Sequence, residues 1–262
     1  VVATTLAQKR PTLQAVLSYI GIAVFLGCAI ALVDSAHHGS QAQAVFGGWG
    51  APFGIEFDID RTSAAMILIT AIMGVASLVF MASDADTEPR HPLMLPLLHG
   101  VLVGVGGAFA TADLFNLYVW FEVMLICAVG LFSIGGRIDQ LDSALKYFVL
   151  NIFGTLLVLI AVSMIYAATG HLNYTGIAQA ATQLSPMVTT LLLGGLMLAF
   201  LVKAGAFPLF AWLPSSYHTL PAPVLALFAG LLTKVGVYAV LRTMGDIFSV
   251  SYTHLTLPTN RE

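Results

Sequence analysis

Three ionisable side chains lie inside long apolar runs of this sequence: Glu122, Lys203 and Lys234. A carboxylate and an ammonium near each other in a low-dielectric place each change the proton affinity of the other. A lysine that loses part of its solvation can release and regain a proton, which an arginine cannot do. Each charge costs about 3 kcal/mol at the centre of a membrane helix, so the protein must compensate for all three. These residue types predict a proton relay.

Two structural interpretations of the same charges stay open. A buried ion pair could fix the packing of two helices, or lysine side chains could extend to the lipid headgroups. Extension to the headgroups fits Lys146, which lies one turn inside its apolar run. It does not fit Glu122, because this residue lies ~13 Å along its predicted helix from Asp113, too deep for a short side chain.

A helix break follows Lys203 within five residues. Gly205 and Pro208 interrupt the apolar run, and the backbone groups that such a break frees need a protein-lined or hydrated cavity. We therefore expect water to reach Lys203 here. His218 follows in a polar segment and is a candidate proton carrier at neutral pH. His99 lies among leucine and glycine and is expected to be a hydrogen-bonded packing residue.

The composition places these residues in a membrane protein. The chain is 58% hydrophobic and 9% charged, with a net charge of -3. No cluster of lysine and arginine exists, which excludes a nucleic-acid partner acting through a basic surface. The two cysteines lie in apolar runs, and no metal or cofactor motif is present, so we expect no cofactor. Lipid and other membrane proteins are the expected neighbours.

Apolar runs of about 20 residues predict an all-α polytopic bundle of seven membrane-spanning helices. The predicted spans cover about 13–33, 62–81, two helices within 93–134, 142–169, one beginning at 186, and 223–241. Asp113 and Asp142 are predicted to cap helices. The balance of lysine and arginine predicts one cytoplasmic side, which carries Lys9, Arg10, Arg90 and Arg137, and an opposite side with Arg61 and Arg242.

Four segments resemble the D-type subunit of Mrp-type multisubunit cation/proton antiporters. They are DLFNLYVWFEVMLICAVGL (113–131), ALKYFVLNIFGTLL (144–157), YAATGHLN (166–173) and KAGAFPLFAWLPSSYHTLPAPVLALFAGLLTKVGVYAVLR (203–242). The likeness spans about residues 8–244. The superfamily also contains membrane subunits of NADH:quinone oxidoreductase and of membrane-bound hydrogenases. The resemblance implies a fold of about fourteen helices with two inverted five-helix repeats, each containing a broken helix.

The resemblance also assigns roles to individual residues. By position in the matching motifs, Glu122 corresponds to the glutamate of the family's fifth helix. Lys203 corresponds to the lysine at the break of the seventh helix, and Lys234 to that of the eighth. His218 matches a histidine of the proposed proton input route, and Lys146 a lysine of the sixth helix whose role is less settled. These matches imply a proton-conducting subunit.

The expected protein is a transporter subunit and not an enzyme, located in the inner (plasma) membrane of a prokaryote. Its expected partners are other membrane subunits, the lipid bilayer, protons and Na⁺. Residues 1–249 are expected to form one transmembrane domain, with most of the first repeat at about 93–245. Residues 250–262 form a polar tail outside the family pattern, and the second repeat and first helix are missing, which implies truncation at both ends.

Two other functions stay open. The chain could belong to a redox-driven pump, as a membrane subunit of a quinone reductase or hydrogenase. It could also be a non-conducting structural subunit whose charges form a packing pair.

Overall fold

The computed structural model describes residues 1–49, 54–83 and 91–248, which form a helical bundle with one β-hairpin. The helices are α1 (Val2–Leu6), α2 (Pro11–His37), α3 (Arg61–Ser83), α4 (Met94–Ala110), α5 (Leu114–Ser133), α6 (Ile138–Thr169), α7 (Tyr174–Ala181), α8 (Pro186–Ala204), α9 (Trp212–Ser216) and α10 (Ala222–Arg242). A 3₁₀ turn covers Tyr217–Thr219, and a π turn, Thr243–Ile247, follows α10. The hairpin pairs β1 (Ala42–Phe46) with β2 (Ile55–Ile59) in antiparallel register.

The prediction of an all-α membrane bundle with a broken helix is confirmed for the membrane part of the fold. Six helices within the described ranges are long and apolar enough to cross a bilayer, and α4 is a shorter apolar helix of 17 residues. The hairpin lies outside these spans and was not predicted. The polar tail 250–262 and Arg90 lie outside the described residues.

Helix ends follow local chemistry at three predicted positions. The Asp113 carboxylate caps α5 by accepting a hydrogen bond from the backbone N–H of Asn116 at 2.7 Å. Ser185 caps α8, with Pro186 in its first turn. Helix α6 ends at Thr169, and Gly170 follows as its C-cap with a left-handed φ of 72°, which suits a residue without a Cβ atom.

The predicted start of the fifth span at Asp142 is wrong. Helix α6 begins one turn earlier at Ile138, and Arg137 occupies the N-cap position. Asp142 instead pairs with Lys146 one turn further along the helix, at 2.5 Å. The hydropathy of the sequence marks where the apolar run begins, whereas this helix starts with a polar turn before it. Asp139 in that turn also favours the positive N-terminus of the helix.

A ladder of backbone hydrogen bonds ties together one end of the bundle, which we call the hairpin end. The N–H of Ala112 donates to the carbonyl of Glu56 at 2.9 Å, and the N–H of Tyr174 donates to the carbonyl of Ala112 at 2.9 Å. Leu114 donates likewise to Leu172 at 2.9 Å. The ladder joins β2 to the α4–α5 and α6–α7 connections.

The predicted grouping of Arg61 with Arg242 agrees with the fold, because both residues lie at the hairpin end. Arg242 bonds to Asp60 at 2.9 Å, and Arg61 follows Asp60 at the start of α3. At the opposite end, the Gln14 amide of α2 donates to the carbonyl of Pro92 before α4. Which end faces the cytoplasm stays a prediction.

Helix α8 packs against both α6 and α10. Helix α5 packs in turn on α6. Large side chains fill the space between the helices, and four phenylalanines are fully buried: Phe109, Phe132, Phe200 and Phe228. This packing encloses the residues of the candidate site.

Candidate functional site

Lys203 lies in the last turn of α8, where the helix breaks as predicted. The helix ends at Ala204 because Gly205 takes a left-handed conformation with φ of 64°. The chain resumes as the short helix α9 after a non-helical stretch. The indole N–H of Trp212 in α9 donates to the carbonyl of Val202 at 3.1 Å, which satisfies a backbone group that the break exposes.

The Lys203 side chain points into the bundle and is only 6% exposed. Its ammonium donates to the backbone carbonyl of Asn151 and to the Thr155 hydroxyl, each at 3.0 Å. The ammonium also lies 5.3 Å from the centroid of the Phe121 ring. Oxygen atoms of α6 and an aromatic face of α5 therefore compensate for a charge held away from both ends of the bundle.

A cavity of about 20 Å³ adjoins the ammonium, and this volume is large enough for one water molecule. Three residues with polar side chains, Tyr147, Asn151 and Lys203, line it together with apolar ones. The remaining lining residues are Phe121, Met124, Leu125, Trp212 and Leu232. The hydration expected at Lys203 thus has a place in the fold.

Glu122 lies on α5 next to Phe121 and is partly buried. The ring of its chain neighbour Phe121 lies 5.3 Å from the Lys203 ammonium, so Glu122 lies in the neighbourhood of that charge. Within the described ranges, however, neither residue takes part in a salt bridge. The arrangement therefore differs from the tight ion pair of the packing interpretation.

The other three predicted site residues lie at the surface of the described structure. Lys234 is exposed on α10 and donates to the carbonyl of Ala229 in its own helix at 2.6 Å. His218 is exposed in the turn that precedes α10. Lys146 is exposed and bound to Asp142. Lys203 is therefore buried and Glu122 is partly buried, whereas these three side chains are exposed.

Aromatic rings connect the cavity with the turn that carries His218. Tyr147 and Trp212 both line the cavity, with ring centroids 5.7 Å apart. Trp212 contacts Tyr217 at 5.9 Å, and Tyr217 precedes His218 in the chain. The Tyr217 hydroxyl is buried and has no hydrogen-bond partner within the described part of the chain. The rings thus fill the space between Lys203 and this turn.

Sequence reasoning missed the residues of α6 that hold Lys203. Tyr147, Asn151 and Thr155 recur every four residues, which places them on one face of a helix. Such a polar stripe inside a membrane span is a signal that could have identified them. The prediction for His99 is confirmed, since its Nε2 atom and the Ser18 hydroxyl share a hydrogen bond of 2.7 Å.

A bundle of apolar helices, one of them broken beside a buried lysine, defines this chain as a polytopic membrane protein. Comparison with known proteins then identifies its family. Residues 111–258 match the family described as "NADH:quinone oxidoreductase/Mrp antiporter, TM". The chain belongs to this family.

Several relatives in this family carry the name of one type of antiporter subunit. The chain is 40% identical over 248 residues to the D-type subunit of the Na⁺/H⁺ antiporter of Alkalihalophilus pseudofirmus, over 93% of this chain and 50% of the relative. It is also 40% identical over 199 residues to the D-type subunit of a probable K⁺/H⁺ antiporter of Rhizobium meliloti, over 75% of this chain and 36% of that protein. The chain thus spans half or less of the length of these curated relatives.

Solved structures of two membrane complexes share the fold. The Mrp complex from Dietzia sp. DQ12-45-1b contains a chain with a TM-score of 0.81 and 28% identity, over 94% of this chain and 49% of that one. The archaeal respiratory complex called membrane-bound sulfane sulfur reductase contains another similar chain, with a TM-score of 0.83 and 28% identity. That match covers 97% of this chain and 52% of the other. The expected relation to the D-type subunit of Mrp-type antiporters is confirmed.

Proposed function

We propose that this chain is part of a proton-conducting membrane subunit of a Na⁺/proton antiporter in the plasma membrane of a prokaryote. The carrying observation is a buried ammonium, Lys203, which has uncharged oxygen partners and a cavity large enough for water beside it. The packing-pair interpretation requires a carboxylate within salt-bridge distance of Lys203. Among the described residues Lys203 forms no salt bridge, and its partners are uncharged.

The arrangement supports proton exchange at the Lys203 amine. An ammonium has three N–H donors, and two of them are used by Asn151 and Thr155. The third can donate to a water molecule in the cavity. When the proton leaves, the N–H bond breaks and an O–H bond to that water forms. A negative charge on Glu122 favours the charged form of the lysine, so protonation of Glu122 promotes proton release from Lys203.

Lys234 is proposed as the next group of the relay, with a partner supplied by the assembled complex. It is exposed in the middle of α10, and a charge facing lipid at that depth would cost several kcal/mol. A protein or water-lined surface therefore covers this face of α10 in the assembled complex. His218 is proposed to deliver protons from the end opposite the hairpin, past Tyr217, toward the cavity beside Lys203. Lys146 stays a weaker candidate, since Asp142 already holds it.

The coupled ion and the partners come from the relatives. The name of the Alkalihalophilus pseudofirmus protein specifies Na⁺ exchange, and that of the Rhizobium meliloti protein specifies K⁺ exchange. We propose Na⁺ for this chain, with other membrane subunits of an Mrp-type complex as its partners. The chain is then a transporter subunit and catalyses no bond chemistry.

The test uses single variants, Glu122→Gln and Lys203→Met, in the intact antiporter complex. Methionine keeps the volume of the lysine stem without the charge. We expect Na⁺-driven proton movement in everted membrane vesicles to be abolished in both variants while the complex still assembles. Lys9→Ala is the control, because Lys9 is exposed outside the bundle, and it should exchange normally. Normal exchange by the two variants would refute the relay and favour the structural role.

A second candidate function is proton pumping in a redox-driven complex, favoured by the TM-score of 0.83 to the archaeal respiratory complex. Purification separates the two. An antiporter subunit co-purifies with small membrane subunits alone, whereas a redox-driven pump co-purifies with a peripheral arm containing iron-sulfur clusters.

A further inference from the structure

We propose that Thr155 is a positioning residue that hydrogen-bonds the Lys203 amine in both of its protonation states. The inference rests on the proposed function, in which Lys203 gains and loses a proton. It assigns a specific task to a side chain of α6 that carries no charge and cannot itself hold the transported proton.

The geometry around Thr155 is a closed triangle of polar atoms. The Thr155 side chain is fully buried. Its hydroxyl donates to the carbonyl of Asn151 at 2.7 Å and accepts from the Lys203 ammonium at 3.0 Å. The same carbonyl accepts from Lys203 at 3.0 Å. One backbone oxygen and one hydroxyl thus hold the nitrogen of Lys203 against α6.

Close contact between α6 and α8 makes this triangle possible. A Cβ atom on Gly154 would lie 3.0 Å from the Val202 side chain and 3.6 Å from the Lys203 stem. A Cβ atom at position 154 would force the Val202 side chain to shift by a few tenths of an ångström, so the contact leaves little room for a larger residue. Gly154 therefore lets α8 approach until the Lys203 nitrogen reaches Thr155.

The two oxygen partners differ in what they offer the amine. A carbonyl oxygen only accepts hydrogen bonds, whereas a hydroxyl both donates and accepts. When Lys203 transfers a proton to water, its N–H bond breaks, an O–H bond forms, and the nitrogen keeps the electron pair. A buried lone pair without a donor is costly. The group beside the nitrogen must therefore accept a hydrogen bond from the charged ammonium and donate one to the neutral amine.

Rotation of the Thr155 hydroxyl supplies that donor. In the charged state its hydrogen points to the carbonyl of Asn151 and its oxygen accepts from Lys203. In the neutral state the amine rotates about its Cε–Nζ bond, so that its lone pair faces Thr155. The hydroxyl hydrogen turns to that lone pair, while the two remaining N–H groups donate to the carbonyl of Asn151 and to water. Of the two described groups that bond to this nitrogen, the Thr155 hydroxyl is the one that is also able to donate. Both states of Lys203 thus stay fully hydrogen-bonded without movement of a helix.

The experiment compares Thr155→Val with Thr155→Ser in the intact antiporter complex. Valine has the shape of threonine without the hydroxyl, and serine keeps the hydroxyl with one methyl group less. We expect Thr155→Val to slow exchange in everted vesicles at least tenfold, because a hydrogen bond to a charged group is lost. We expect Thr155→Ser to exchange within about threefold of the unmodified protein, since the hydroxyl supplies that bond.

Thr70→Val is the matched control. Thr70 is also fully buried, in α3, and its hydroxyl donates to the carbonyl of Met66 in the same helix at 2.8 Å, its one partner among the described residues. It should exchange normally. Equal losses in both valine variants, or in both the serine and valine variants of Thr155, would show a packing effect and overturn the proposal.

Lys203→Met distinguishes this proposal from the proposed function. If Lys203→Met is inactive while Thr155→Val exchanges normally, the positioning role of Thr155 is wrong and the relay stands. If Lys203→Met exchanges normally, the relay itself is wrong and the role of Thr155 falls with it. Co-purification of the other subunits verifies that each variant complex has assembled.

Discussion

Replacement of Gly236 by alanine is expected to separate α10 from α8 at the helix break. A Cβ atom at this position would lie 2.4 Å from the backbone nitrogen of Ala204 and 2.8 Å from the carbonyl carbon of Lys203. Non-bonded heavy atoms prefer separations of about 3.5 Å, so α8 must move by about 1 Å. Because the obstructing atoms belong to the backbone, no change of rotamer relieves the clash. Lys203 moves with them.

The expected losses follow from this displacement. Overpacking of a well-packed interior costs about 1–3 kcal/mol of the free energy of unfolding. A shift of about 1 Å in a reacting group can slow a reaction about 10²-fold. Gly236→Ala should therefore reduce exchange by about 10²-fold while the protein stays folded, because the hydrogen bonds that orient Lys203 no longer fit.

The assay is Na⁺-driven proton movement in everted vesicles, together with thermal unfolding of the purified complex. Gly195→Ala on α8 is the control, since a Cβ atom there meets nothing within 4 Å, and it should exchange normally. Normal exchange by an assembled Gly236→Ala complex would refute the reasoning, because the position of the Lys203 nitrogen would then not limit proton transfer.

Two further predictions concern charged residues at the hairpin end, and thermal unfolding at several pH values tests both. Burial raises the pKa of Asp113 above its ordinary value of 3.8. The folded protein therefore holds this proton more tightly than the unfolded chain does, and the free energy of unfolding falls as the pH rises from the ordinary pKa through the raised one. Asp113→Asn keeps a cap and should be more stable than the unmodified protein at neutral pH, whereas Asp113→Ala should lose about 1 kcal/mol relative to Asp113→Asn; equal stability of these two variants would contradict the capping role. Arg242 is 11% exposed and binds Asp60 at 2.9 Å and Asp246 at 2.7 Å. Arg242→Met should cost about 2–3 kcal/mol, less than a fully buried pair because Asp246 is partly exposed, and an unchanged melting temperature would show that the cluster contributes nothing.

Sequence analysis located the break and several helix ends because these features depend on local chemistry. Pro208 cannot continue a helix, Gly205 readily takes the left-handed conformation that ends one, and Asp113 supplies a capping oxygen at the start of α5. Asp142 misled the prediction because capping residues also occur inside first turns. The hairpin was missed although Ala42–Phe46 and Ile55–Ile59 lie on either side of a glycine-containing segment.

The polar stripe on α6 is visible in the sequence, but its contact with Lys203 depends on tertiary structure. Thr155 and Asn151 lie 48 and 52 residues before it, and only the packing of α6 on α8 brings them to its nitrogen. The depth of Lys234 was predictable from the apolar residues around it. The direction in which it points was not, because that depends on which face of α10 packs against α3 and α8.

The backbone ladder at the hairpin end restricts how the bundle can move. The hydrogen bonds between Glu56, Ala112 and Tyr174 join β2 to the α4–α5 and α6–α7 connections. The helices α4, α5 and α6 therefore cannot slide past one another at this end without breaking these bonds. A tilting helix that is held at one end is displaced more with increasing distance from that end. We therefore expect the larger displacements at the far end, around α9 and His218, where short helical segments replace one continuous helix.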